Sequence, residues 1–113
     1  MHEMSLAESM LEIIEEEAST RGFARVLAVR VAVGELGSVE PESLQFCFDV
    51  VCRGSLAEGA SLQIERVEGR AWCMECARSV VLHERHAGCP ECGGFQVQIQ
   101  GGEELRLLDL EVQ

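Results

Sequence analysis

Apolar residues recur at helical spacing near the start of this 113-residue chain. Ala7, Met10, Leu11, Ile14 and Ala18 fall three and four apart, which predicts a helix over residues 6–20. Ser5 and Glu8 ahead of that run make the S-x-x-E pattern of a capping box. Arg21-Gly22 supplies a stop, because glycine accepts the left-handed conformation past a helix end and arginine complements the terminal dipole. Glu12, Glu15 and Glu16 read as the solvated face. The period then shortens: Leu27, Val29, Val31 and Val33 alternate with smaller or polar neighbours, which predicts a strand over 25–33, buried on one face and ending at Gly34. Glu40-Pro41-Glu42 opens a second helix, with proline at an early position where its missing donor is not needed, and Leu44, Cys47, Phe48 and Val51 form its apolar stripe. Leu62, Ile64 and Val67 give a shorter strand, and Leu105–Val112 alternates once more.

The order helix, strand, helix, strand, cysteine-rich segment, strand predicts an α+β fold, a small three-stranded sheet with two helices on one face. If the last strand returns to that sheet, residues 69–102 are an inserted module, with Gly69-Arg70 and Gly101-Gly102 as hinges. Residues 1–68 and 103–113 then form the α/β domain, and 69–102 the ribbon domain.

Composition narrows the function. With 4% aromatic residues, one tryptophan and no tyrosine, aliphatic side chains must fill the core, and platforms for stacking bases are excluded. A formal net charge of −11 repels nucleic acid and anionic lipid and favours cations or basic partners. No apolar run has the length of a membrane span, and the acidic first twenty residues lack the cationic start of a secretion signal, so a cytoplasmic protein is expected. No nucleophile arrangement, phosphate loop or basic patch is present.

The chemistry lies in the cysteines. Cys73 and Cys76, then Cys89 and Cys92, form two C-x-x-C knuckles with residues 77–88 between them. Two intervening residues let a tight turn aim both sulfurs at one ion, and four thiolates close a tetrahedron around zinc at about 2.3 Å. Val80, Val81 and Leu82, then Phe95, Val97 and Ile99, read as short strands behind the knuckles, as in a zinc ribbon. So few residues cannot make a core of their own, and structural zinc in comparable peptides contributes roughly 10–16 kcal/mol of apparent folding free energy. The Cys-Pro-x-Cys-Gly knuckle is also that of rubredoxin, where the same sulfurs hold iron, and a redox dithiol is a further alternative. An iron form is red when oxidised and a zinc form colourless. Cys47 and Cys52 read as buried free thiols, and His83 and His86 as polar loop residues that alternatively reach a metal.

Met1-His2-Glu3 is the other candidate. The Met1 amine, the deprotonated amide of the Met1–His2 peptide and the His2 imidazole can close adjoining chelate rings, with the Glu3 amide or carboxylate completing a plane. Such tetragonal nitrogen and oxygen sites suit Ni(II) or Cu(II). A bulky second residue discourages removal of the initiator methionine. The bland alternative is a solvated histidine in a frayed tail.

The whole pattern resembles the HypA/HybF family of hydrogenase maturation factors over essentially the full chain. The matching residues are Met1-His2-Glu3-Met4-Ser5-Leu6, Val33-Gly34 before Val39-Glu40-Pro41-Glu42, Phe48-Asp49, Gly69-Arg70-Ala71-Trp72-Cys73, both knuckles, and Gly101-Gly102-Glu103-Glu104-Leu105. The resemblance implies a non-enzymatic nickel metallochaperone, with Ni(II) held by His2, Glu3 and the Met1 amine and structural Zn(II) at Cys73, Cys76, Cys89 and Cys92. It also implies a HypB-type GTPase and the [NiFe]-hydrogenase large-subunit precursor as partners, and urease maturation proteins for some members. The chain itself is expected as a monomer or weak homodimer. Some members carry knuckle-flanking histidines that exchange into the zinc site; here those positions hold Ala77 and Gly93. From the residues alone, a zinc-ribbon docking module and a rubredoxin-like iron protein stand as alternatives.

Overall fold

In the computed structural model, which describes residues 2–113, the first helix begins earlier than its apolar pattern suggests. α1 spans Glu3–Arg21, with His2 as N-cap and Leu6 N donating to His2 O at 3.0 Å. Ser5 and Glu8 therefore sit inside the helix and the expected capping box does not form. The Glu3 carboxylate, 5% exposed, makes a tertiary contact instead, accepting from Glu40 N ahead of the second helix at 2.9 Å. The other end is as expected, with Gly22 at φ 79° donating to Ala18 O.

α2, Pro41–Val51, has Pro41 in its first turn, and the Glu40 side chain caps Glu42 N. It packs against α1, and Met10, Ile14, Leu44 and Phe48 are all buried. β1 (Val26–Gly34) is the central strand of a sheet ordered β2-β1-β6, with β2 at Ser61–Val67 and β6 at Leu105–Val112. Val26, rather than Leu27, begins the buried set that continues through Val29, Val31 and Val33; Leu27 is 41% exposed. Arg30 forks both oxygens of Asp109 (Nη2–Oδ2 2.6 Å), linking β1 to β6 and holding the Asp109 carboxyl below its usual value. The two helices and three strands are the expected α+β architecture. Among the described residues no helix is long and apolar enough to cross a membrane.

The chain divides into two compact units: residues 1–31, 39–64 and 107–113, and residues 32–38 and 65–106. In the second unit β3 (Arg70–Cys73) pairs antiparallel with β4 (Arg78–Val81) and β5 (Val97–Gly101), in the order β4-β3-β5. β3, the middle strand, is not evident from the sequence, because four residues ending in a knuckle cysteine are too few to display alternation. Phe95, expected on a strand, lies outside β5 and is 75% exposed. The core of this unit joins Leu36, Ala71, Val80 and Leu82 to Cys73 and Cys89.

Of the glycines expected at the hinges, Gly69 and Gly102 lie in close backbone packing, as does Gly34 at the end of β1. A Cβ on Gly34 would collide with the carbonyl of Gly102, and one on Gly69 with Leu82 O; Gly102 itself has φ +87°. Leu36 N donates to Gly102 O at 2.7 Å and Gly34 N to Glu104 O at 2.8 Å, which holds the strands at that separation. Gly34→Ala is expected to cost about 1–3 kcal/mol or more, because backbone must yield. Gly101→Ala, with nothing near its Cβ, is expected to stay within about 0.5 kcal/mol. Urea midpoints compare the two, and equal midpoints would remove the packing role of Gly34.

Candidate metal centre

Each knuckle is built the same way. Cys73 closes β3, and the chain then turns so that Cys76 N points at Cys73 Sγ (3.4 Å) and Ala77 N donates to Cys73 O (2.8 Å), with Ala77 at φ 54°. In the second knuckle Glu91 N points at Cys89 Sγ (3.4 Å), Gly94 N at Cys92 Sγ (3.4 Å), and Gly93, at φ 75°, donates to Cys89 O (2.8 Å). Backbone donors aimed at sulfur favour thiolate, and the Cys92 amide holds the Cys89 thiol below its ordinary value, while the facing Cys92 sulfur pushes Cys76 up to about 12.

The four Sγ atoms lie within 4.8 Å of one another, with Cys73–Cys92 at 3.7 Å and Cys76–Cys89 at 3.9 Å. A tetrahedron with metal–sulfur bonds of about 2.3 Å has sulfur–sulfur edges of about 3.8 Å. A disulfide needs about 2.05 Å, so none joins these sulfurs. The donor set therefore fits zinc held in a closed structural site. Cys73 and Cys89 are buried in the ribbon core and Cys92 is exposed, with Glu75 Oε2 3.8 Å from its sulfur. Arg78 on β4 pairs with Glu91 of the other knuckle.

The two loop histidines stand outside the sulfur group. His83 Nδ1 meets Glu35 Oε1 at 2.7 Å, and Arg85 reaches Leu36 O and the Glu103 carboxylate, so this loop is fastened to residues 35–36. Glu35 raises the affinity of His83 for its proton, and His83 in turn holds the Glu35 carboxyl below its usual value. The His83 share of this stabilisation is complete below the ordinary histidine value of 6.5 and is lost as pH rises through its raised value. The Glu35 share is present above the ordinary 4.5 and is lost as pH falls through its lowered value. NMR titration is expected to place the His83 midpoint above the ordinary value and to return it there in Glu35→Gln; a midpoint indifferent to that substitution removes the pair.

At the amino end His2 is exposed and makes no side-chain cap. Met1 lies outside the described residues. The Glu40 amide holds the Glu3 carboxyl below the ordinary carboxylate value, and that carboxylate is already engaged. Cys47 and Cys52 are buried free thiols as expected, burial pushing Cys52 up to about 11. The roles of Glu35, Leu36 and Arg85 were not foreseen; they join the ribbon from sequence positions that carry no local signature.

A family profile described as "HypA: Hydrogenase/urease nickel incorporation, metallochaperone, hypA" matches residues 1–112. The chain belongs to the HypA family. It is 54% identical over 112 residues to the hydrogenase maturation factor HypA of Rhodopseudomonas palustris (strain BisB5), covering 99% of each chain. It is 50% identical over 113 residues to that of Azotobacter chroococcum mcd 1, covering 100% of both. Its fold is similar to the solution structure of the Ni metallochaperone HypA from Helicobacter pylori, with TM-score 0.71, 27% identity and coverage of 99% of this chain and 97% of that one. A second HypA solution structure gives TM-score 0.70 at 28% identity. HypA proteins are metallochaperones of nickel incorporation and hydrogenase maturation.

Proposed function

We propose that this chain is a cytoplasmic nickel carrier that takes Ni(II) at its amino terminus and delivers it to the [NiFe]-hydrogenase large-subunit precursor, working with a HypB-type GTPase. The nickel is cargo. Its ligands are the His2 imidazole and amide, the Met1 amine and the Glu3 amide. The observation that carries this reading is the combination of an exposed His2 with a Glu3 whose carboxylate is held by Glu40 N. The Glu3 backbone amide, at the start of α1 where no intrahelical acceptor exists, faces its own carboxylate, and on losing its proton it supplies the nitrogen donor. Ligands on a short terminal stretch can be reached by an acceptor without unfolding anything. Because they must shed protons to bind, uptake weakens as pH falls and acid favours release.

In the second unit Cys73, Cys76, Cys89 and Cys92 would hold zinc. Bound there, zinc supplies cross-linking of the two knuckles and no chemistry on the cargo. The compartment, partners and ligand assignments follow from the family and the residues together. The bipartite arrangement, a cargo domain and a zinc ribbon, is part of the same reading.

Metal analysis of untagged protein before and after nickel addition tests it. One zinc is expected throughout, with one nickel added, and residues fused ahead of Met1 are expected to abolish nickel uptake while leaving zinc content unchanged. Iron in the isolated protein, or nickel spectra with sulfur ligation, would sink the proposal.

A further inference from the structure

A groove of about 760 Å³ opens in the first unit between the carboxyl-terminal half of α1 and β6. Ile13, Glu17 and Arg21, four apart, line it from one helical stripe. From the strand, Leu107, Leu108, Asp109 and Leu110 all line it, although successive strand side chains point to opposite faces. Four consecutive residues share one cavity through the strand's edge. β6 is the outer strand of β2-β1-β6, so this wall presents backbone donors and acceptors that no further strand of the sheet takes up.

The charges inside the groove are matched: Glu17 binds Arg21 at 2.6 Å and Asp109 binds Arg30. Those around it are not. Glu16, three residues from Ile13, and Glu12, four before Glu16, follow one another on the exposed side of α1, and Glu111 is exposed on β6; none has a basic partner among the described residues. The chain has no lysine at all, and the arginines of this unit are Arg21, Arg25, Arg30 and Arg53.

We propose that this edge docks an extended basic segment of a partner protein, which joins the sheet alongside β6. Its apolar side chains fill the groove beside Ile13, and its arginine or lysine side chains meet Glu12, Glu16 and Glu111. Strand addition of this kind takes affinity from the backbone and specificity from alternate side chains. Residues 107–113 offer an edge of about 20 Å, enough for a segment of about six residues. A second copy of the chain is a poor occupant, since its own β6 carries Asp109 and Glu111 and its α1 the same glutamates, bringing like charges together.

The probe is a labelled peptide of alternating valine and threonine with two arginines at each end, titrated into the full chain. Amide shifts are expected at Ile13 and over 107–113. Affinity is expected to fall at least tenfold in Glu12→Gln/Glu16→Gln, with glutamates in place of the peptide arginines, and with alternate peptide amides N-methylated. Ile13→Glu, at a position already 46% exposed, is expected to block binding with helical circular dichroism intact. If that variant misfolds, the N-methylated peptide still reads the edge. Equal binding by the N-methylated or acidic peptide, shifts elsewhere, no binding, or sedimentation showing self-association through β6 would each overturn the proposal.

Discussion

His2→Ala is expected to reduce nickel uptake from one equivalent to none at concentrations that saturate the unaltered protein, with fold and zinc unchanged. A group that merely orients a metal ligand is worth about 10–100-fold in affinity, and removing a chelating ligand costs more, so the expected loss is roughly a hundredfold or greater. The fold survives because the exposed His2 side chain makes no cap on α1. Exposed substitutions of this kind shift stability by no more than about 0.5 kcal/mol. Glu3→Gln provides the contrast. Its amide oxygen still accepts from Glu40 N, and its backbone amide is untouched, so nickel affinity should change only a few-fold. Equilibrium dialysis decides both, and undiminished one-equivalent uptake by His2→Ala would eliminate the amino-terminal site.

Cys73→Ala is expected to unfold residues 65–106 and spare the helices. Cys73 is fully buried, its sulfur receives the Cys76 amide and sits 3.7 Å from Cys92 Sγ, and the remaining ribbon core is little more than Leu36, Ala71, Val80 and Leu82. Zinc in comparable sites contributes roughly 10–16 kcal/mol, more than such a core supplies alone. Both helices lie in the other unit. Amide exchange should therefore become fast across β3, β4 and β5 while helical circular dichroism persists, and a chelator should do the same to the unaltered chain. Collapse of the whole spectrum would show that the units are not separable.

Much of this molecule could be read from local chemistry. Pro41, with its fixed φ, and Gly22, with its freedom to take positive φ, bound the helices, and the cysteine spacing led directly to the sulfur cluster. What escaped depends on contacts between distant residues. α1 begins at Glu3, ahead of the Ser5–Glu8 pattern, where the Glu3 carboxylate meets the distant Glu40 amide. β3 owes its place to partners on both sides rather than to its four residues. Leu36 and Glu35 follow a strand with nothing in their neighbourhood to connect them to a cysteine-rich segment some fifty residues on. Backbone-determined features are visible in a single sequence, and packing-determined ones are not.

The presence of Leu36 among the ribbon's buried residues bears on biosynthesis. Residues 32–38 leave the ribosome long before 65–106, to which they belong. A nascent chain cannot complete that core until its last stretch is made, so the sulfur cage is sealed late, when the helices have already been synthesised.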